Sequence, residues 1–392
     1  MVKNDGKFNT KKIKNFLKAS LKKVLKSRLN TIISKFIPVT SKLIGRPRKI
    51  DNSLQYAVKK QTVYFNYETL SCLESDLQKK NNLTNGGSTL LFICEFNKSR
   101  VWGRYGAVVT SDDTFLKDVS LEFPSLPPLK HSIFYTLWQK RCDYIQGKSA
   151  VISAPGANIY YHWMIDILPR IELLKRQYKI HDFNHFICDY TALPFQRETL
   201  EFLQISKEKI LKSNDNWNFH IEGEKLVVPS VCGILDRPNV FQVDSLRNIF
   251  AKFISHETPT RQIYISRKNS ALRKLKNEIE ITNFLEKIGF EIVRCEEMKI
   301  FEQVKIFSQA KTIVGPHGSG FTNIVFCQKG SKVIEFFNEA YINPCFSIIA
   351  DIRETNYSYI ITKSEQTNSN DKNCNINLTI DELIIELNRT ND

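Results

Sequence analysis

A helical stretch carries the first group of side chains that could do chemistry. In HWMIDILPR (162–170), His162 and Asp166 are four residues apart. Residues at that spacing share one face of a helix, and a carboxylate beside an imidazole can remove a proton from a hydroxyl group. A structural His–Asp hydrogen bond and a metal-binding pair remain alternatives. Against a metal, no third ligand lies nearby and the chain contains no Asp-x-Asp triplet.

A glycine-rich turn carries the second group. In VGPHGSGFTN (314–323), three glycines separate a strand-like run from a helix-like run. Glycines let a ligand approach the backbone, and the first amides of a helix bind phosphate well. The alternative is a turn needed only for packing.

Charged side chains follow the neighbouring strand-like runs. Arg267 ends YISR, and Arg273 lies six residues further on. An arginine at a strand end can grip a diphosphate with two hydrogen bonds. Glu335, in VIE (333–335), could accept hydrogen bonds from a ribose or be a solvated strand end.

These stretches need a fold that brings strand ends together. After the strand-like run QIYISRK (262–268), helix-like and strand-like runs alternate regularly, which indicates a parallel, doubly wound sheet. Ligands bind at the carboxyl ends of such strands. We also predict a helix over 159–178, which Asn158 could cap and Pro169 could kink, and a last helix capped by Thr379.

The net charge of +15 is concentrated at one end of the chain. Residues 1–49 hold fifteen Lys and Arg and one Asp, which is +14 of the total. Apolar residues recur every three or four positions over residues 8–37, as in an amphipathic helix that binds an anionic membrane. Docking of this helix on the protein itself or on a partner is the alternative.

Cysteine usage and composition argue against a disulfide-bonded, a membrane-spanning and a nucleic-acid-binding protein. The nine cysteines are scattered and form no Cys-x-x-Cys pair, which favours free thiols in a reducing cytosol. No apolar run is long enough to span a bilayer. A nucleic-acid-binding protein is disfavoured because zinc-finger spacing and interleaved aromatic residues are missing.

Together the motifs resemble glycosyltransferase family 61. The order and spacing match over roughly residues 150–340, in the segments HWMIDILPR (162–170), YISR (264–267), NE (277–278), GPHGSGFTN (315–323) and VIE (333–335). The resemblance implies an α/β fold of two Rossmann-like domains facing a cleft (GT-B type). It also implies an inverting transferase that uses a nucleotide sugar, usually UDP-linked, without an essential metal or other cofactor.

The resemblance assigns roles to individual residues. Asp166 would be the base, with His162 orienting it or contacting the sugar, and which of the two is the base stays open. The acceptor side would include Asn158, Trp163 and Arg170. The donor side would include Arg267, Arg273, His317, Gly318, Ser319, Gly320, Asn323 and Glu335.

We therefore expect four regions. They are a basic amphipathic segment (1–49), an acceptor-side Rossmann-like domain (50–238), a nucleotide-sugar-binding Rossmann-like domain (239–365), and a polar linker with a C-terminal helix (366–392). The expected acceptor is a glycan or a lipid-linked sugar in surface polysaccharide synthesis, such as a capsule. The expected location is the cytoplasmic face of a membrane. The alternatives are a nucleotide-sugar-binding protein without catalysis and a nucleic-acid-binding protein.

The basic segment generates a prediction that is independent of the rest of the chain. Deleting residues 1–49 removes no proposed catalytic group, so turnover on a soluble acceptor should persist. Binding to anionic vesicles should be lost, because each basic residue near the surface contributes about 1 kcal/mol. Vesicle co-sedimentation over a salt series measures this, and binding that is unchanged or insensitive to salt would contradict it.

Overall fold

The computed structural model describes residues 47, 49–53, 56, 63–65, 91–122, 128–136, 141–214, 219–363 and 375–389. The predicted amphipathic helix of residues 8–37 lies outside these ranges. None of the helices within them is long and apolar enough to cross a membrane. Two β-sheets with helices packed between and around them make up the described part, which confirms the α/β class.

The first sheet is mixed. Its strands are ordered β1-β5-β4-β3-β9-β6-β7-β8, with β2 paired to β3. Strands β9, β6, β7 and β8 are parallel neighbours, as in a Rossmann-like sheet, whereas β3 pairs with β9, β4 and β2 in antiparallel fashion. The strands are β1 (Lys49–Asp51), β2 (Val63–Phe65), β3 (Phe92–Trp102), β4 (Ala107–Val109), β5 (Thr114–Leu116), β6 (Asp143–Val151), β7 (His185–Cys188), β8 (Ile210–Lys212) and β9 (His220–Pro229).

The second sheet is parallel throughout, as the alternating pattern predicts. Its order is β11-β10-β12-β13-β14. The strand after β10 in the chain, β11, lies on one side of it, and the later strands β12, β13 and β14 lie on the other side. The position between β10 and β12, where the order of strands switches sides, is where ligands bind in such sheets. The strands are β10 (Arg261–Ile265), β11 (Glu291–Val293), β12 (Ala310–Pro316), β13 (Lys332–Asn338) and β14 (Asn356–Thr362).

The helices include one irregular segment. The predicted helix over 159–178 is α1 (Tyr160–His162), a π-helical turn (Trp163–Ile167) and α2 (Leu168–Lys175). The helix predicted after the glycine-rich turn is a 3-10 helix, Ser319–Phe326. The others are α3 (Pro194–Phe202), α4 (Val240–Ile249), α5 (Glu278–Lys287), α6 (Ile300–Ser308), α7 (Cys345–Ile352) and α8 (Ile380–Asn388), the last capped by Thr379 as predicted.

One hydrophobic core joins the two sheets. Trp163 and Phe186 from the first half lie in the same cluster as Ile313, Phe321 and Phe346 from the second. Helix α4, which begins just after the predicted boundary at residue 239, packs on α2 and the π turn as well as on the 3-10 helix Ser319–Phe326. Packed helices therefore hold the two sheets together.

A buried arginine closes the carboxyl edge of the first sheet. Arg170 is only 2% exposed, and its guanidinium donates to the carbonyls of Ser153 (2.7 Å), Val151 (3.1 Å) and Pro229 (3.0 Å). These carbonyls end β6 and β9, so one side chain ties two parallel strands together. Burial lowers the pKa of Arg170, and the three carbonyls compensate part of the cost of burying its charge.

Replacing this arginine should destabilise the fold. Arg170→Met fills a similar volume but leaves three buried carbonyls without donors. Because hydrogen bonds to charged groups contribute about 1.5–3 kcal/mol each, we expect the free energy of unfolding to fall by roughly 3 kcal/mol. Urea unfolding measures this. Arg176→Met, at the exposed end of the same helix, is the control, and equal losses in the two variants would refute the role.

Candidate functional site

A cleft opens at the switch point of the second sheet. Its volume is about 400 Å³. The walls come from the ends of three strands, with Tyr160 and Phe195 contributed by the first half of the chain. The strand-end residues are Ile265–Arg267 at β10, Pro316 and Gly318–Gly320 at β12, and Cys295, Glu296 and Met298 after β11, whereas the predicted donor residue His317 does not line the cleft. The cleft is therefore where the parallel-sheet pattern predicted a ligand.

Arg267 lies inside this cleft, against the glycine-rich turn. Its Nη2 donates to Ser270 Oγ (2.7 Å) and to the Leu272 carbonyl (2.9 Å), while its buried Nε has no hydrogen-bond partner in the structure. Burial and the nearby charge of Arg273 lower the pKa of Arg267 to about 10. A cation in this position is incompletely solvated, so an anionic ligand would stabilise it.

The three glycines make room for the end of strand β10. A Cβ on Gly315 would lie 2.9 Å from the Ile265 carbonyl oxygen, one on Gly318 1.7 Å from Arg267 Nη1, and one on Gly320 2.9 Å from Ile265 Cγ2. The backbone at Gly318 is extended, with φ 173°. The glycines are thus required by close approach and not by a left-handed turn, and the approach places Arg267 beside the amides of the turn.

His317 is buried and is oriented by Glu335, which Tyr357 in turn holds in place. Its Nδ1 donates to Glu335 Oε1, and Tyr357 donates to Glu335 Oε2. Burial and the Glu335 charge raise the pKa of Tyr357, so the phenol remains a donor. Glu335 is 0% exposed. The alternative of a solvated strand end is therefore wrong, and both carboxylate oxygens are used inside the protein.

Asn323 joins the glycine-rich turn to the first half of the chain. Its Oδ1 accepts from the Tyr160 hydroxyl (2.7 Å), and its Nδ2 donates to Gln303 Oε1 (2.8 Å) and to the Gly320 carbonyl (3.1 Å). Asn323 is 0% exposed. It therefore positions Tyr160 and the turn and does not itself face the cleft.

His162 and Asp166 are in contact, as their spacing predicts. His162 Nδ1 donates to Asp166 Oδ2 at 2.8 Å, and the two side chains are 10% and 13% exposed. Burial raises the pKa of Asp166 above its ordinary value of 3.8, His162 lowers it, and the charge of Asp236 raises it. A raised pKa makes a carboxylate a better proton acceptor near neutral pH.

Pro169 explains the irregular backbone beneath Asp166. Because Pro169 has no N–H, it cannot donate to the Ile165 carbonyl four residues earlier. Gln242 Nε2 donates to this carbonyl instead (2.9 Å) and also approaches Asp166 Oδ1 (3.4 Å). The Leu168 N–H bonds to the Trp163 carbonyl, which closes the π turn. π turns are frequent at functional sites.

Asp166 lines a second pocket, at the carboxyl edge of the first sheet. The pocket has a volume of about 80 Å³. Ser153, Pro155 and Val231 follow the ends of β6 and β9, and the opposite wall comes from residues 117–122 and His131. Residues 50–150 contain no recognisable motif, yet the structure places part of them beside the candidate base.

Some predicted site residues lie elsewhere. Asn158 is exposed and is not the helix cap, since the cap position is Ile159. Trp163 is 0% exposed and donates to Thr199 Oγ1 (2.8 Å), so it is a core residue that cannot touch an acceptor. Arg273 does not line the cleft, and its guanidinium lies 5.0 Å from the ring centroid of Tyr341. Ser319 and Gly320 line the cleft as predicted.

Two residues that hold site residues in position, Glu278 and Gln242, were not among those predicted from the sequence. Glu278 accepts from Ser266 Oγ (2.7 Å), the Arg267 amide (3.1 Å) and Tyr264 (3.1 Å), so it holds the end of β10. Its place in the NE motif was the available signal. Gln242 had no such signal, because a helix-start glutamine is indistinguishable in sequence from an ordinary capping residue.

Within the residues that the structure describes, no group of three or more His, Cys, Asp or Glu side chains could hold a metal ion.

Comparison with known proteins confirms the resemblance for the segment that holds both sites. The family model for Glycosyltransferase 61 matches residues 160–334. Beta-1,2-xylosyltransferase RCN11 from Oryza sativa subsp. japonica is 26% identical over 95 residues. That alignment covers 22% of this chain and 18% of the rice protein. Residues 160–334 contain the π turn, the end of β10 and the glycine-rich turn.

The contact between Arg267 and Gly318 can be tested by adding one methyl group. Gly318→Ala would place a carbon 1.7 Å from Arg267 Nη1, so the guanidinium must move and UDP affinity should fall roughly tenfold or more. Calorimetric titration measures this. Gly320→Ala is the comparison from the same turn; its added carbon meets Ile265 and Cys295 rather than Arg267, so it should weaken UDP binding less than Gly318→Ala does. A Gly318→Ala variant with unchanged affinity would contradict the arrangement.

Proposed function

We propose that this protein is an inverting glycosyltransferase that moves a sugar from a UDP-sugar to an acceptor hydroxyl group. The observation that carries the proposal is the cleft at the β10/β12 switch point, in which the half-buried Arg267 lies against a glycine-rich turn. The match of residues 160–334 to the Glycosyltransferase 61 family supports it.

The donor diphosphate would bind between Arg267 and the turn. The first amides of the 3-10 helix Ser319–Phe326 lack internal partners, and Arg267 supplies a positive charge next to them. Together they would stabilise the negative charge that develops on the leaving diphosphate. They would do so without a divalent ion, so we propose that activity persists in EDTA.

The acceptor would bind in the pocket that contains Asp166. One helical segment joins the two pockets, since Tyr160 lines the donor cleft and Asp166 lines the second pocket. Six residues of helix rise about 9 Å, which leaves space for the transferred sugar between them. This arrangement supports a two-domain, GT-B-type division into a donor side and an acceptor side.

The reaction then has a simple course. Asp166 accepts the proton of the acceptor hydroxyl, and the oxygen attacks the anomeric carbon from the face opposite the diphosphate. The bond between that carbon and the diphosphate oxygen breaks, and its electron pair goes to the phosphate. His162 keeps Asp166 in position through the 2.8 Å hydrogen bond.

The finer assignments extend this proposal. The partial similarity to a xylosyltransferase makes a pentose the first sugar to test. We propose a glycan or lipid-linked acceptor in surface polysaccharide synthesis, with the basic segment of residues 1–49 holding the enzyme at a cytoplasmic membrane surface. A panel of UDP-sugars assayed for UDP release with each acceptor class tests these assignments.

Two substitutions separate the donor side from the acceptor side. Asp166→Asn keeps the shape but removes the base, so turnover should fall roughly 10²–10⁴-fold with UDP affinity nearly unchanged. Arg267→Ala removes a charge-assisted contact and should weaken UDP binding roughly ten- to a hundredfold. Calorimetry and UDP-release assays in EDTA measure both effects.

Lys268→Ala is the matched control for Arg267→Ala, because Lys268 is an exposed cation one residue away that does not line the cleft. If Asp166→Asn weakens UDP binding as much as Arg267→Ala does, Asp166 belongs to the donor side or is structural. If wild-type protein binds no UDP, the proposed function itself is wrong.

The pH dependence of turnover distinguishes Asp166 from His162 as the base. A base works when deprotonated, so kcat/KM should fall as the pH drops through the raised pKa of Asp166. His162→Phe removes a hydrogen bond that lowers this pKa, and Asp236→Asn removes a charge that raises it. The acid limb of the profile should therefore move up in His162→Phe and down in Asp236→Asn. Retained turnover in Asp166→Asn together with lost turnover in His162→Phe would instead identify His162 as the base.

A further inference from the structure

Glu335, the residue expected to bind the ribose, cannot reach a ligand in the cleft. Both oxygens of Glu335 are engaged, one by His317 and the other by Tyr357, and the side chain is 0% exposed. A hydroxyl pair would have to displace one of these buried partners. The ribose, if a nucleotide binds in the cleft, needs another acceptor.

The cleft contains a different carboxylate. Glu296 lines it and is exposed, and among the described residues that form the cleft wall it is the one acidic side chain. Within the described part of the chain its carboxylate forms no direct hydrogen bond or ion pair, although its charge opposes the burial that lowers the pKa of the neighbouring Arg267. Its neighbour Glu297 does not line the cleft and is already used, because Asn269 Nδ2 donates to it at 2.9 Å.

The strand order fixes where Glu296 lies relative to the diphosphate. Glu296 follows β11, Arg267 follows β10, and Gly318 follows β12, and these three strands are neighbours in that order. Adjacent strands are about 4.8 Å apart. The cleft thus presents a carboxylate, then a guanidinium, then free amides along one edge. The ribose hydroxyls and the two phosphates of a nucleoside diphosphate follow one another in a corresponding order.

We infer that Glu296 binds the ribose hydroxyl pair of the nucleotide and makes the cleft selective for a ribonucleotide over a deoxyribonucleotide. The inference rests on the proposed function, since it needs a nucleoside diphosphate in the same cleft. The two hydroxyls donate to the carboxylate, whose charge strengthens these bonds. Arg267, between Glu296 and the turn, lies next to the phosphates, where its charge is needed.

The experiment compares UDP with 2′-deoxy-UDP and 3′-deoxy-UDP on three proteins by calorimetry, with EDTA present so that Glu296 cannot act through a metal ion. Wild-type protein should prefer UDP over at least one deoxy form by roughly ten- to a hundredfold, as for a hydrogen bond to a charged group. Glu296→Gln should reduce this preference to within about threefold of unity, mainly by weakening UDP binding, because an amide forms only an ordinary neutral hydrogen bond. Glu297→Gln, the matched control, should keep the wild-type preference.

The outcomes are separable. UDP binding by wild-type protein with an unchanged preference in Glu296→Gln overturns the ribose assignment and leaves the proposed function standing. A preference lost equally in Glu297→Gln overturns it too, because the effect would then be one of surface charge. No UDP binding by wild-type protein overturns both the assignment and the proposed function.

Discussion

The close approach of strand β10 to the glycine-rich turn is the constraint on which the donor cleft depends. A Cβ at Gly315, Gly318 or Gly320 would lie 2.9 Å or less from an atom of Ile265 or Arg267. Real Cβ atoms do not tolerate such separations without displacement of their neighbours. Only a turn without side chains at these three positions allows Arg267 to lie directly against backbone amides. The arginine and the amides can then act on the same anion.

Two arginines, one buried and one half-buried, show how similar positions in two sheets acquire different roles. Arg170 and Arg267 each lie at the carboxyl edge of parallel strands. Arg170 donates to three carbonyls, so its charge is stabilised by the protein and its role is structural. Arg267 has fewer acceptors and a second arginine nearby, and its pKa is lowered to about 10. Each guanidinium has a buried Nε without a hydrogen-bond partner in the structure, so the two differ in the number of acceptors and in the neighbouring charges. The less stabilised cation beside a cleft is the better site for an anion.

The segment from Tyr160 to Asp166 connects the two halves of the candidate site. Tyr160 bonds to Asn323, which in turn bonds to the glycine-rich turn, and Asp166 faces the other pocket. The same helices pack in the hydrophobic core shared by both sheets. A change in the π turn would therefore move residues of both pockets. Such coupling suits a reaction in which donor and acceptor must be held at a set separation.

The sequence by itself determined the parallel sheet, the pairing of His162 with Asp166 and the location of the glycine-rich turn, because these depend on local periodicity and on spacings of a few residues. The alternation that follows QIYISRK (262–268) is typical of a parallel sheet, and a spacing of four residues brings two side chains together in any helix. Tertiary structure decided which charged groups face the ligand. Glu335 lies within a strand-like run and Glu296 follows one, and sequence cannot tell that Tyr357 and His317 occupy the first while the second lines the cleft. Burial and competition for partners are set by residues far apart in the chain, and for that reason the acceptor-side wall and the role of Trp163 were also beyond reach of the sequence.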